Sequence, residues 1–171
     1  MIELVLTTIY FFLPAYIANM GPVLFKWLPI ANKPISTKLF GAHKTYRGFL
    51  AGYIAAAITL FLQSQFSTPY DFLPYATFTA QTILVLAIPF GLGALLGDLL
   101  KSFFKRRLKI APGRPFFPFD QLDFILVSGL SLYLTIGLPY PIFLTALLVT
   151  PVLHLLANVT AYFLGWKEVW W

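Results

Sequence analysis

The chain has 171 residues, of which 59% are hydrophobic and 11% charged, with a net charge of +6. A water-soluble domain carries roughly 25% charged residues, so this composition excludes an ordinary soluble enzyme and points to a lipid solvent. There is no cysteine, which removes disulfides, thiolate metal sites and thiol nucleophiles from consideration.

Uncharged runs of about 20 residues are long enough to cross a bilayer. The first runs from Leu4 to Phe25. Its start, Met1-Ile2-Glu3-Leu4, lacks the basic n-region of a secretion signal, so the segment is expected to remain as a membrane helix. A second span is expected over Gly48 to Gln65 and a third over Tyr75 to Gly97. The uncharged stretch from Phe124 to Trp166 is split by the turn signal Gly137-Leu138-Pro139-Tyr140-Pro141. That gives a fourth span near Gln121 to Leu138 and a fifth near Ile142 to Gly165. The expected fold is therefore an all-α polytopic membrane protein of about five helices, forming a single domain over residues 1–171. Helix prolines Pro14, Pro22, Pro89 and Pro151 are expected to kink it and open a cavity.

Cytoplasmic loops carry the excess of Lys and Arg. Five spans place Lys26, Lys33, Lys38, Lys44 and Arg47 of the first loop on one side with the third loop and Lys167 of the tail. Glu3 and Asp71 fall on the other side. The N-terminus is expected outside and the C-terminus inside, with two basic loops meeting at the cytoplasmic face of the cell membrane. The terminal Gly-Trp-Lys-Glu-Val-Trp-Trp reads as interfacial anchoring.

Residues 97–123, GDLLKSFFKRRLKIAPGRPFFPFDQLD, hold half of the chain's Lys, Arg, Asp and Glu residues. Topology accounts for the cations, but carboxylates add little to retention and are costly near hydrocarbon. Asp98, Lys101 and Lys105 recur at three- and four-residue intervals and would share a helix face; Asp120 and Asp123 would share one at the start of the fourth helix. Two helix ends would then gather carboxylates able to hold magnesium, beside Lys and Arg able to bind phosphates, an arrangement for phosphoryl or nucleotidyl transfer. On spacing alone, salt bridges tying the loop down account for the pattern equally well. Gly93 and Gly97 have the four-residue spacing of close helix packing, within one chain or in a homodimer. Pro112-Gly113 reads as a turn. In the first loop, Gly41, His43, Lys44, Thr45, Arg47 and Gly48 make a polar cluster suited to an anion or nucleotide ring, without the spacing of a P-loop. His154 and Asn158 share a face of the fifth span, where an interhelical hydrogen bond is the plainer use of such a pair.

Taken together, Gly97-Asp98-x-x-Lys101-Ser102-x-x-Lys105-Arg106-Arg107, Pro112-Gly113, Asp120-Gln121-x-Asp123 and Gly41-x-x-Lys44-Thr45-x-Arg47-Gly48 resemble the archaeal CDP-archaeol synthase family, related to bacterial phosphatidate cytidylyltransferases. The chain lacks the His-Gly-Gly before the final acidic pair of the bacterial relatives and has Gln121 where they carry Arg, which favours the archaeal branch. The resemblance implies a magnesium-dependent transfer of CMP from CTP to an isoprenoid ether-lipid phosphate, giving CDP-archaeol and pyrophosphate. It implies that Asp98, Asp120 and Asp123 hold Mg2+, that Lys101, Lys105, Arg106 and Arg107 neutralise the triphosphate, and that Lys44 and Arg47 complete the nucleotide pocket. Thr45 and Ser102 would donate to phosphates, and His154 and Asn158 would line the lipid cavity or approach the lipid phosphate. No nucleic-acid partner is expected. The alternatives are a CDP-alcohol phosphotransferase, whose Asp-Gly-x-x-Ala-Arg motif is missing, and a small anion transporter, which would carry charge inside its spans.

Overall fold

The computed structural model describes residues 1–66, 79–111 and 114–165. The expected start of the third span at Tyr75, together with Asp71, Pro112-Gly113, Lys167 and the terminal tryptophans, lies outside the described residues. The described chain is helical: α1 (Ile2–Leu24), a short α2 (Thr37–Phe40), α3 (Tyr46–Ser64), α4 (Ala80–Ala87), α5 (Gly93–Arg107), α6 (Phe119–Ile136) and α7 (Tyr140–Phe163). A π-helical turn, Ile88–Leu92, joins α4 to α5. The five long apolar helical stretches, Ala80–Arg107 being one, are each long enough to cross a membrane. That third stretch runs ten residues past the end expected at Gly97, so it carries Asp98, Lys101 and Lys105 on ordered helix.

The core lies where α1, the π turn and α6 meet. Phe11, Phe12 and Phe90 are fully buried there, with edge-to-face ring pairs at 5.2, 5.2 and 6.3 Å. Because helices in lipid gain no hydrophobic energy from packing on each other, association depends on close fit and on interhelical hydrogen bonds. The Tyr16 and Thr150 hydroxyls share such a bond at 2.7 Å between α1 and α7, and Gln63 Nε2 donates to the Tyr10 carbonyl at 2.7 Å between α3 and α1.

Of the four expected kinks, only Pro89 changes the helix type. Pro14 and Pro22 lie inside α1, and Pro151 inside α7. Proline lacks an N–H and crowds the preceding turn, and the wider π turn relieves that conflict. The Ser128 hydroxyl of α6 donates to the Pro89 carbonyl at 3.1 Å, satisfying it inside the bundle. The turn expected at 137–141 is present: Gly137 closes α6 at φ +69°, a left-handed conformation glycine adopts without penalty, and Pro139 caps α7.

Candidate active site

The first loop is held by backbone bonds. The Ile35 N–H donates to the Lys44 carbonyl at 2.8 Å, Tyr46 N–H to Lys33 at 3.2 Å and Arg47 N–H to Ala31 at 2.8 Å. These bonds zip two extended arms together, and Thr45 then starts α3 by accepting the Gly48 N–H on its hydroxyl oxygen at 3.2 Å. Lys44 sits at the end of this zipper. Its ammonium forms an ion pair with Asp98 Oδ2, which ties the first loop to α5 and puts both basic clusters on one face of the bundle.

On α5, Asp98 and Lys101 meet through the expected three-residue step, with Lys101 Nζ 3.1 Å from Asp98 Oδ1. Bringing α6 close to this row requires the absence of a side chain at Gly97, where a Cβ would lie 2.2 Å from the Asp123 carbonyl oxygen. Gly93, one turn back, faces the Ser128 backbone in the same way. The glycine pair is thus used inside one chain, between α5 and α6.

At this crossing Lys101 Nζ lies 2.8 Å from Asp123 Oδ2 and 3.6 Å from Asp120 Oδ1, so carboxylates from two helices converge on one ammonium. Lys105 continues the row, 3.2 Å from Asp120 Oδ1, and also donates to the Arg114 carbonyl. Asp120 Oδ2 in turn accepts the Phe116 N–H. The result is an alternating chain, Lys44, Asp98, Lys101, Asp123 and Asp120, Lys105, in which charge is balanced locally. Buried charges need such pairing, because an unpaired one costs several kcal/mol on removal from water. Asp123 is 7% exposed, and its Oδ1 has no hydrogen-bond partner.

The donors offered are carboxylate oxygens alone, the chemistry of a hard divalent cation, and magnesium commonly takes only one or two of them. Among the described residues no three His, Cys, Asp or Glu side chains are gathered closely enough to hold an ion as they stand, because Lys101 occupies the space between the carboxylates. An ion held there would have to take the place of Lys101; Asp98 and Asp123 lie nearest that ammonium, while Asp120 is engaged by the Phe116 N–H and Lys105.

The remaining expected residues divide. Arg47 lines the polar cavity described below, but its Nη1 donates to the Leu28 carbonyl at 2.7 Å. Ser102 donates to the Asp98 carbonyl at 2.8 Å, inside its own helix. Arg106 keeps a buried Nε with no partner. Arg107 is exposed and stacks 5.2 Å above the Phe103 ring. His154 Nδ1 and Asn158 Nδ2 are 3.1 Å apart on α7, and neither residue lines the two cavities beside the carboxylates.

Those two cavities meet the row at different members, one at Lys44 and Asp98 and the other at Lys101 and Asp123. One, of about 550 Å³, has Asp98 and Lys44 in its wall with Asn19, Lys26, His43 and Arg47, and is half polar. The other, of about 360 Å³, is almost wholly apolar and has Lys101 and Asp123 in its wall. Asn19 and Lys26 were not expected at a site. Asn19 lies in the last turns of α1 and Lys26 just past its cap Phe25, and only the fold of the first loop puts both at a cavity.

The whole chain, residues 1–171, matches the family model described as CarS-like, CDP-archaeol synthase. It is 37% identical over 165 residues to the CDP-archaeol synthase of Pyrobaculum arsenaticum, covering 92% of this chain and 93% of that one. With the CDP-archaeol synthase of Pyrococcus furiosus it shares 34% identity over 175 residues, 98% of each chain. With that of Methanocaldococcus jannaschii it shares 33% over 178 residues, 99% of this chain and 98% of the relative. A solved structure described as an intramembrane enzyme for archaeal membrane lipids biosynthesis superimposes with a TM-score of 0.66 at 32% identity, over 88% of this chain and 92% of that one.

Proposed function

This chain belongs to the CDP-archaeol synthase family, and from that premise we propose how its row of lysines and carboxylates carries out the transfer. The protein makes CDP-archaeol as a CTP-utilising membrane transferase, which sets aside the phosphotransferase and transporter alternatives. In the reaction a lipid phosphate oxygen forms a bond to the α-phosphorus of CTP. The bond from that phosphorus to the oxygen bridging the β-phosphate breaks, and pyrophosphate leaves with the electron pair. The attacking oxygen is already an anion, so no side chain has to remove a proton from it. The barrier lies in bringing two anions together and neutralising the charge that develops, which are tasks for positioning and electrostatics.

Asp98 and Asp123 would hold magnesium, with Asp120 a third ligand if it releases Lys105. Bound there, the ion would offset triphosphate charge and polarise the phosphoryl group under attack. Lys101 then turns from the carboxylates to phosphate oxygens, exchanging one anionic partner for another. Lys44, Thr45 and Arg47 serve the nucleotide from the polar cavity, with Ser102, Lys105 and Arg106 as the further donor and cations of the α5 face, while Arg107 stands apart over the Phe103 ring. Asp120 also orders the segment before α6, through the Phe116 N–H and Lys105. The site faces the cytoplasm, since the described cations of both loops lie on its side of the bundle and cytoplasmic loops carry such excess.

The observation that carries this reading is Lys101 Nζ, within 2.8 to 3.6 Å of carboxylates from two helices, lining the apolar cavity and paired with Asp98 of the polar one. Detergent-solubilised protein incubated with labelled CTP, magnesium and a geranylgeranyl ether-lipid phosphate should release CDP-lipid and pyrophosphate in equal amounts. Chelation should stop turnover, and added magnesium should restore it. Absence of CDP-lipid under all conditions would overturn the assignment; turnover unaffected by chelation would remove the metal from it.

A further inference from the structure

α7 lines neither cavity beside the carboxylates. Its Thr150, fully buried, shares the 2.7 Å hydrogen bond with the Tyr16 hydroxyl of α1. The Tyr16 ring in turn meets the Phe124 ring of α6 edge-on, with centroids 5.6 Å apart and planes at 68°. Phe124 is 3% exposed and directly follows Asp123 in the chain. It is pressed on α5 as well, since a Cβ at Gly97 would lie 2.9 Å from the Phe124 Cα. The residue beside Asp123 is thus held by α1 through its ring and by α5 through its backbone. Interiors packed at crystal density leave little slack for one side chain to shift alone. A change in how Tyr16 sits therefore moves Phe124, and with it the turn of α6 that carries Asp123.

We propose that Tyr16 and Thr150 are a positioning pair for Asp123; the proposal rests on the role given to Asp123 above. The hydroxyl bond fixes the Tyr16 ring, the ring fixes Phe124, and Phe124 keeps the Asp123 carboxylate against Lys101. An edge-to-face ring pair is worth about 0.5–1.5 kcal/mol and by itself lets the ring tilt. A hydrogen bond at the far end of that ring removes the tilt. Both hydroxyls lie within membrane-spanning stretches, where water is not at hand as an alternative partner, so the bond is held firmly. A phenylalanine at position 16 would satisfy the packing against Phe124 without it. Asp123 has a particular need of such support, because Lys101 is shared by Asp123, Asp98 and Asp120 at 2.8, 3.1 and 3.6 Å. These distances differ by less than 1 Å, so a small retreat of Asp123 would let the ammonium settle on another carboxylate. The Gln63–Tyr10 bond is of the same kind and the same 2.7 Å length, but it lies about 25 Å along α3 from the end that carries Arg47. It ties α1 to α3 far from the row.

Labelled-CTP turnover of the full chain tests it. Tyr16→Phe keeps the ring and deletes the bond; it should lower kcat by about tenfold and leave KM for CTP within about twofold, since alignment is lost and nucleotide binding is not. Thr150→Val should do the same, and the double variant should fall no further than either single one, because both remove one interaction. Thr150→Ser restores a hydroxyl and should recover most of the rate. Gln63→Leu is the control for a purely structural bond: it should lower Tm at least as far as Tyr16→Phe and keep kcat within about twofold. A normal kcat in both Tyr16→Phe and Thr150→Val, losses that multiply in the double variant, or an equal loss of rate in Gln63→Leu would overturn the pair. Asp123→Asn, assayed beside them, separates the two layers. If it is inactive while Tyr16→Phe works at full rate, only the pair falls; if it turns over normally, the role of Asp123 falls and takes the pair with it.

Discussion

At Asp98 the chain builds a half-polar pocket from a hydrogen-bonded loop and the end of α1; one turn further along α5, at Lys101, it builds an apolar groove from the outer surfaces of two helices. The materials differ for a physical reason. Non-helical backbone leaves polar groups that need partners, so it is tolerated only away from hydrocarbon, and there it can offer hydrogen bonds to a soluble nucleotide. Helices satisfy their own backbone and can present a bare apolar face to lipid. A membrane transferase thus needs no second domain to receive substrates from two solvents. It needs one helix that crosses the boundary between them, with charged side chains facing both ways.

If the two sides share one reacting centre, its loss must silence both. Asp98→Asn should lower kcat by about 10²- to 10³-fold, the scale of removing one principal electrostatic group from a transfer site, and Asp123→Asn should act alike. Asp120→Asn keeps an acceptor for the Phe116 N–H and should cost less than either. Labelled-CTP turnover ranks the three, with thermal unfolding as the check on folding. Equal losses at all three positions would place Asp120 at the reacting centre with the others.

The two regions touch through Gly97. Gly97→Ala would drive a methyl group into the Asp123 carbonyl, and α5 must move from α6 to admit it. Such overpacking costs about 1–3 kcal/mol, which should lower Tm by about 2–4 °C for each kcal/mol in a chain of this size. Since Asp123 moves with the backbone, kcat should fall as well. An unchanged Tm would mean that the helices are not pressed together at this point.

Lys44→Met separates the two sides. Lys44 lines only the polar cavity, so its removal should raise KM for CTP by about tenfold, equivalent to about 1.4 kcal/mol, and leave KM for the lipid phosphate nearly unchanged. Equal shifts in both constants would show that Lys44 acts by holding Asp98 in place and not by binding nucleotide.

The sequence carried the span number, because uncharged length decides it, and it carried the helix-face spacing of Asp98, Lys101 and Lys105. The turn at Gly137-Leu138-Pro139 was legible for the same local reason. What it could not carry was which cations remain available to a substrate. Lys105 reads as a phosphate ligand, but its spacing does not show that Asp120 of α6 and the Arg114 carbonyl in the segment before it already engage the ammonium. Pro89 reads as a kink until Ser128 satisfies its carbonyl and a π turn absorbs the strain. Asn19 and Lys26 gain meaning only when the first loop folds over α1 to make a cavity. Each of these depends on contacts between distant segments, which periodicity does not encode.

Arg107 gives the smallest and most pointed test of that lesson. By charge alone it belongs with Lys101 and Lys105 as a triphosphate cation. In the fold it lies at the C-terminal end of α5, exposed, with its guanidinium over the Phe103 ring, and it lines neither cavity beside the carboxylates. A cation–π contact at an exposed position contributes about 0.5–1 kcal/mol, and a cation at a helix C-terminus adds about 0.3–1 kcal/mol through the helix dipole. Arg107→Gln should therefore cost a small amount of stability and change KM for CTP by less than about twofold, since 1.4 kcal/mol would be needed for a tenfold effect. Low ionic strength should enlarge any residual effect, because an exposed charge acts on the nucleotide only over a Debye length of about 10 Å at 0.1 M salt. A tenfold rise in KM for CTP at all salt concentrations would mean that Arg107 leaves Phe103 and contacts the triphosphate directly, extending the polar side of the site to the end of α5.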